Sequence, residues 1–255
     1  MTTLDDKLVD QALAAGGAID LADCVYGPSH TVRGAFAAEV QPYYALLAGL
    51  VRVLNARTVL ELGTHFGGAT LAMARGLADP RQGLVVTVDV TALPNEALDR
   101  EPVVRRVHGD LFAPRCLRKV ERALDGRPVD LLFIDIVHGY HQTRRALGWY
   151  ANRVQPALIA LDDVRLNGGM RLLWDELRAR YPALDASERV ERAEAGFGLL
   201  QPHRPMRLDE GDAWRALLWS ARRAMALRTP ARVKRGVNAM LDRMPAPLRK
   251  RIDPS

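Results

Sequence analysis

The strongest constraint on the fold of this chain is an alternation of short apolar runs with segments of helical periodicity. The runs fall at 58–62, 84–89, 103–108, 130–135 and 157–162. Each is short and rich in Val, Leu and Ile, the pattern of strands buried on both faces. Helical spacing follows at about 67–77, 115–125, 140–153 and 168–180, and two more strand candidates, 188–194 and 197–201, close the series. Parallel neighbours need a crossover helix to return the chain to the same end of the sheet, so the pattern predicts an α/β, doubly wound sheet. Ahead of it, 4–15 and 35–55 carry helical patterns separated by a loop at 20–34 containing Gly27-Pro28-Ser29. The expected units are an N-terminal helical cap (1–54), a core (55–202) and a helical tail (203–255), with the last boundary near His203–Pro205.

Charge is distributed unevenly over these units. The net charge is +6, yet 213–251 alone holds eleven Lys/Arg against one acid, Asp242, a local balance of +10 that leaves −4 for the rest. The basic character therefore belongs to the tail, and it does not make nucleic acid the expected partner of the core. No apolar run is long enough to span a membrane. The start, Met1-Thr2-Thr3-Leu4-Asp5-Asp6, is unlike a signal peptide. Cys24 and Cys116 are the only cysteines, which fits a reducing cytoplasm better than a disulfide framework.

The most informative segment is Val59-Leu60-Glu61-Leu62-Gly63-Thr64-His65-Phe66-Gly67-Gly68-Ala69-Thr70. A strand carrying an acid runs into a glycine turn that opens a helix, and Gly63 and Gly67 let main chain approach a ligand closely. A dinucleotide enzyme wants G-x-G-x-x-G here to seat a pyrophosphate. This loop instead reads G-x-x-x-G-G, and Glu61 would repel a pyrophosphate while suiting a cationic ligand such as a sulfonium amino acid. The second strand ends in Asp89, placed to hold ribose hydroxyls. The third ends in Gly109-Asp110, where Asp110 either meets an adenine amino group or caps the next helix.

Together, Glu61-x-Gly63-x-x-x-Gly67, Asp89 and Gly109-Asp110 resemble the class I S-adenosylmethionine-dependent methyltransferases over residues 55–202. The resemblance implies a Rossmann-like sheet of seven strands, the last antiparallel. It also implies S-adenosylmethionine as cofactor, its methionine part at Glu61, Gly63, Thr64 and Gly67, its ribose at Asp89, and its adenine at Gly109 and Asp110, with Asp135 at the edge of the same pocket.

The fourth and fifth strands end in Asp135-Ile136-Val137-His138-Gly139-Tyr140 and Asp162-Asp163. Ligands of open α/β sheets bind beyond the carboxyl ends of the strands, which would gather Asp135, Asp162 and Asp163 beside the glycine loop. Three carboxylates together need a counter-charge, and a hard divalent cation, Mg²⁺ by default, is the natural one. A metal-bound alcohol is a better nucleophile, and a neutral imidazole nearby takes its proton. His138 stands three residues from Asp135, close enough to share the site. The plainer reading is that strand-end acids cap helices and His138 satisfies a loop main-chain group. Asp135-x-x-His138-x-Tyr140 followed by Asp162-Asp163 is similar to the metal-dependent sugar O-methyltransferases of the macrocin type and to cephalosporin-hydroxylase-like proteins. That resemblance implies metal binding by Asp135, Asp162 and Asp163 and general-base catalysis by His138. Ile136, where glycine is common, and Gln155-Pro156-Ala157, in place of Pro-Gly-Gly, depart from the pattern. Tyr140 and His141 are further candidates for substrate contact, with Gln142 beside them. His65 lies in the glycine loop, where its side chain points away from the cofactor at least as readily as toward it, and Trp174 reads as helix packing.

In the tail, Trp214, Leu217, Leu218, Ala221 and Met225 share one helical face, with arginines largely elsewhere. Such a helix packs on its own domain or in a homo-oligomer, or lies on an anionic membrane surface, which would make the protein cytoplasmic but peripheral. The sequence thus predicts a metal-dependent O-methyltransferase acting on a small-molecule or glycan hydroxyl, as in natural-product or polysaccharide biosynthesis, with catechol-like acceptors as an open variant. The competing readings are a basic-tailed RNA methyltransferase, a nicotinamide oxidoreductase and a catalytically silent membrane-binding module. The first lacks an Asn/Asp-Pro-Pro-aromatic motif, and the second is disfavoured by the glycine loop.

Overall fold

The computed structural model describes residues 4–24, 35–190, 195–202, 205, 206 and 208. The tail helix expected to carry Trp214–Met225 and residues 25–34 of the expected loop lie outside the described residues. The strands are β1 (Thr58–Leu62), β2 (Leu84–Asp89), β3 (Val104–His108), β4 (Leu131–Ile134), β5 (Leu158–Asp162), β6 (Ala183–Asp185) and β7 (Phe197–Leu200). They form one sheet in the order β3-β2-β1-β4-β5-β7-β6. β1 pairs in parallel with both β2 and β4, whereas β7 runs antiparallel to β5 and β6. This is the doubly wound, Rossmann-like sheet that the sequence predicts. The order reverses between β1 and β4, so the chains leaving their carboxyl ends part there and open a crevice.

Helices α1 (Asp6–Gly17), α2 (Ala35–Val53) and α3 (Gly68–Gly76) share a core with one face of the sheet. Helices α5 (Pro114–Leu124), α6 (Tyr140–Ala146) and α8 (Gly168–Arg178) cover the other face. Central strands are buried along their whole length, as β1 and β4 illustrate. Local chemistry sets the helix ends. Asp5 caps α1 by accepting from the Leu8 N–H, Pro114 occupies the first turn of α5, and Asn167 caps α8.

Three elements differ from expectation. Among the described residues, the last strand before β7 is Ala183–Asp185, ahead of the expected 188–194. Asp185 Oδ1 accepts from the Ser187 main-chain N–H at 3.1 Å and from the Ser187 hydroxyl, turning the chain into the 3₁₀ segment Ser187–Val190. Residues 191–194 lie outside the described set. A short α4 (Glu96–Arg100) forms because Asn95 Oδ1 caps it through the Leu98 N–H at 3.0 Å. The helix expected over 140–153 is divided into α6, a π turn at Leu147–Ala151 and α7 (Asn152–Val154). Tyr150, fully buried in that turn, donates its hydroxyl to the Leu111 carbonyl at 2.8 Å.

α1 and α2 cross at near-contact distance because Gly49 has no side chain. A Cβ there would lie 1.7 Å from the Ala12 carbonyl oxygen. Gly49→Ala must push the helices apart and should cost about 1–3 kcal/mol in urea unfolding, the usual range for overpacking. Unchanged unfolding of that variant would contradict this packing.

Candidate active site

A cavity of about 370 Å³ lies at the carboxyl ends of β1, β2, β4 and β5, in the crevice between β1 and β4. It is within the range that holds a small ligand. The chain after β1 passes the chain after β4 there with no room to spare. Gly63 has φ +100°, and a Cβ on it would sit 1.7 Å from the Asp135 carbonyl oxygen. Only glycine tolerates both conditions. The Gly63 N–H donates to the Val88 carbonyl at 2.9 Å, so the same residue also ties the loop to β2.

The loop then presents Thr64, His65, Phe66, Gly67 and Gly68 to the cavity. Thr64 and Thr87 share a hydroxyl hydrogen bond of 2.6 Å. Asp89 is aimed by main chain: Oδ2 accepts from the His65 N–H at 2.9 Å and Oδ1 from the Thr91 N–H at 2.8 Å. Asp110 also faces the cavity, its Oδ1 accepting from the Phe112 N–H at 3.0 Å. It does not cap α5, whose N-cap is Ala113. Gly109 lies behind, donating its N–H to the Asp89 carbonyl at 2.9 Å.

Glu61 is not on the cavity wall, in contrast to the direct contact expected from the sequence. Strand alternation explains this: Leu60 and Leu62 face one core, and Glu61 faces the α3 side. Its carboxyl is fully buried, accepts from the Thr70 hydroxyl through Oε2, and has no hydrogen-bond partner at Oε1 among the described residues. Burial pushes its pKa up to about 8, although hydrogen bonds from Thr70 and Thr87 oppose the shift; the charges of Asp135 and Asp89 add to it. Glu61 is therefore mostly protonated at neutral pH. It stands under the loop as a neutral hydrogen-bonding group rather than as a fixed anion.

Opposite the loop, Asp135, His138, Asp162 and Asp163 line the cavity together. His138 lies between carboxylates, with Nε2 3.2 Å from Asp135 Oδ1 and Nδ1 3.1 Å from Asp163 Oδ2. Burial acts to lower the His138 pKa. The hydrogen bond to Asp135 and the charges of Asp163, Asp135 and Asp162 outweigh it and hold the pKa above its ordinary value. Ligand atoms of Asp135, His138 and Asp162 fall within 4.8 Å of one another. Two carboxylates and an imidazole at that spacing fit a divalent cation. Asp163, expected as a ligand, lies against the imidazole instead. Its φ of +57° marks a left-handed turn directly after β5, pinned by its N–H to the Gly196 carbonyl at 2.9 Å.

Tyr140 and His141, expected to touch substrate, are not on the cavity wall. The Tyr140 hydroxyl donates to Glu176 Oε2 at 2.7 Å, and the His141 ring packs edge-on against Tyr140. Gln142 does line the cavity. Trp174 is buried with its ring edge over Gly198, a packing role. Sequence reasoning passed over Leu111, Phe112, Val90 and Val137, which complete the wall. Their signal was position alone, since each lies within two residues after Asp89, Asp110 or Asp135. Tyr43 and Tyr44 of α2 also line the cavity.

A glycine loop at the switch point, with strand-end acids beyond it, defines an α/β enzyme that holds a small nucleoside-type cofactor. Residues 60–164 match the methyltransferase-domain family. The chain is 32% identical over 201 residues to the catechol O-methyltransferase of Mycobacterium tuberculosis (strain ATCC 25618 / H37Rv), covering 72% of this chain and 84% of that protein. Solved structures with a similar course include the O-methyltransferase TomG from Streptomyces achromogenes, involved in tomaymycin synthesis, in complex with SAM (17% identity, 78% of this chain and 99% of that one, TM-score 0.47). Another is an O-methyltransferase from Bacillus cereus in complex with SAH (22% identity, 78% and 92%, TM-score 0.46). The chain belongs to the class I S-adenosylmethionine-dependent O-methyltransferases. That membership sets aside the nicotinamide oxidoreductase. Among the described residues, no helix is long and apolar enough to cross a membrane.

The neutral state of Glu61 has a measurable consequence. Folded Glu61 keeps its proton up to about pH 8, whereas an unfolded glutamate loses it near 4.5. Its contribution to stability is therefore complete below pH 4.5 and is lost as pH rises toward 8. Glu61→Gln keeps a neutral group that accepts from Thr70, so its thermal midpoint should gain on the wild type across that window. Parallel curves for the two cofactor-free proteins would contradict a protonated Glu61.

Proposed function

We propose that the protein transfers the methyl group of S-adenosylmethionine to one hydroxyl of a vicinal pair on a sugar or similar polyhydroxylated metabolite, using a divalent cation and a histidine base. The observation that carries this reading is the convergence of Asp135, His138 and Asp162 within 4.8 Å on the wall of the cavity that the glycine loop also lines. Gly63, Thr64 and Gly67 would hold the methionine part of the cofactor, Asp89 the ribose, and Asp110, with Leu111 and Phe112, the adenine. Asp135 and Asp162 would hold the cation, with Mg²⁺ the default for carboxylate ligands. A bound cation supplies Lewis acidity that makes the acceptor hydroxyl more acidic.

Asp163 has a different part in this scheme from the ligand role that the sequence suggests. Its Oδ2, 3.1 Å from His138 Nδ1, favours the tautomer protonated at Nδ1, and Nε2, which faces Asp135 Oδ1 at 3.2 Å, would be released to take the acceptor's proton once Asp135 holds the cation. S-adenosylmethionine held there would supply the methyl group to the acceptor oxygen as that proton leaves, with its sulfonium released as a thioether. The displacement is direct, so no covalent enzyme intermediate is needed.

A second reading, a catechol ring as acceptor, draws support from the name of the Mycobacterium tuberculosis relative and from the wall itself. Val137 is 63% exposed at the cavity, with Ile136 adjoining it in the chain, and apolar side chains suit a flat ring better than a bare sugar. A panel of sugar diols and catechols, assayed with and without chelator, separates the two. On either acceptor, Asp135→Ala should abolish cation-dependent turnover with the fold intact. His138→Ala should lower kcat by about 10²–10⁴-fold with S-adenosylmethionine affinity nearly unchanged. Full activity of thoroughly chelated His138→Ala protein would overturn both roles.

A further inference from the structure

We infer that Asn167 is a positioning residue that holds His138 in register with the strand-end acids. The inference rests on the reading of His138 as the base. Asn167 uses both ends of its carboxamide. Oδ1 accepts from the Met170 N–H at 2.9 Å and so caps α8, while Nδ2 donates to the His138 carbonyl at 2.8 Å. The assignment of oxygen and nitrogen is fixed by chemistry, because an N–H needs the acceptor end and a carbonyl needs the donor end.

The side chain therefore joins the two loops that make the site. On the β5 side, the chain from Asp163 to Asn167 is anchored by the Asp163 N–H to Gly196 (2.9 Å), the Arg165 N–H to Ala195 (2.8 Å) and the Leu166 N–H to Asp163 (3.1 Å). On the β4 side, the Asp135 N–H donates to Leu62 at 2.8 Å, and the chain then turns on itself through the Gly139 N–H to Val137 at 2.9 Å. Val137, between these points, is 63% exposed and offers little packing. The bond from Asn167 reaches this thinly held stretch at His138 itself. It carries the rigidity of an anchored loop and a capped helix to the residue whose imidazole must lie between Asp135 and Asp163.

A second tie supports the same platform. The Tyr140 hydroxyl donates to Glu176 on α8 at 2.7 Å, and Arg144 Nε lies 3.1 Å from the same carboxylate. The start of α6 and the main chain of His138 are thus both fastened to α8. The tyrosine that the sequence offered as a substrate contact serves this scaffold.

A capping role alone and a positioning role are separable, since serine is also a good N-cap but is too short to reach the His138 carbonyl. In Asn167→Ser the thermal midpoint should stay within about 2 °C of wild type. In cation-free protein, imidazole ¹H–¹⁵N correlations should show the His138 signals displaced and those of the other five histidines unmoved. Turnover should fall by about 10–100-fold, the usual cost of losing a supporting hydrogen bond, with S-adenosylmethionine affinity unchanged. Where the serine variant does not fold, Asn167→Asp keeps the cap at full length and removes the donor. Unmoved His138 signals in a folded variant overturn the inference. Displaced signals with wild-type turnover uphold the positioning and overturn the base reading on which it rests.

Discussion

The site depends on one close approach, the passage of the main chain after β1 against the main chain after β4 at Gly63 and Asp135. A parallel sheet with its order reversed between these strands opens a crevice there, but the crevice alone does not bring two loops together. The absence of a Cβ at Gly63, with its positive φ, lets the glycine loop lie against the Asp135 carbonyl. Cofactor loop and acid cluster then become two walls of one cavity. Any side chain at that position would separate the two walls. The register of β1 with both β2 and β4 extends the arrangement to Asp89 on one side and, through β5, to Asp162 on the other.

Electrostatics follows from that geometry. Acids at neighbouring strand ends repel, and the chain relieves the repulsion in two ways. Glu61, buried beneath the loop, has its pKa pushed up to about 8 by burial and so is largely relieved of its charge near pH 7. His138 sits between Asp135 and Asp163 and is drawn toward its charged form by them. A proton on the imidazole and a cation among the carboxylates answer the same need for positive charge. The cluster is therefore suited to exchange one for the other.

Much of this was legible in the sequence because it depends on strand ends. Apolar runs gave β1 to β5 nearly to the residue, and carboxyl-end topology alone gathers Asp89, Asp110, Asp135, Asp162 and Asp163 around one cavity. What sequence could not supply was side-chain direction. Glu61 belongs to the glycine motif yet points under the loop, because strand alternation turns it toward α3. Tyr140 follows the histidine closely yet turns away to Glu176. Asp163 adjoins Asp162, but a left-handed backbone sends it to the imidazole. The misplaced strand at 188–194 has a local cause of the same kind: Asp185 and Ser187 bend the chain early through side-chain hydrogen bonds that periodicity does not register. The bridge made by Asn167 leaves no local signal, since its partner His138 is twenty-nine residues away.

Family membership supplies the methyl donor, and the acid cluster beside the cofactor loop supplies the reason to expect a cation next to the transferred group. The most direct test places a spin label at that position. Mn²⁺ added to the protein with bound S-adenosylmethionine carrying a ¹³C methyl should broaden the methyl resonance strongly, and Asp135→Ala should abolish the broadening while still binding cofactor. A methyl signal that Mn²⁺ leaves sharp, or broadens equally in both proteins, would contradict a cation site at Asp135 and Asp162 beside His138.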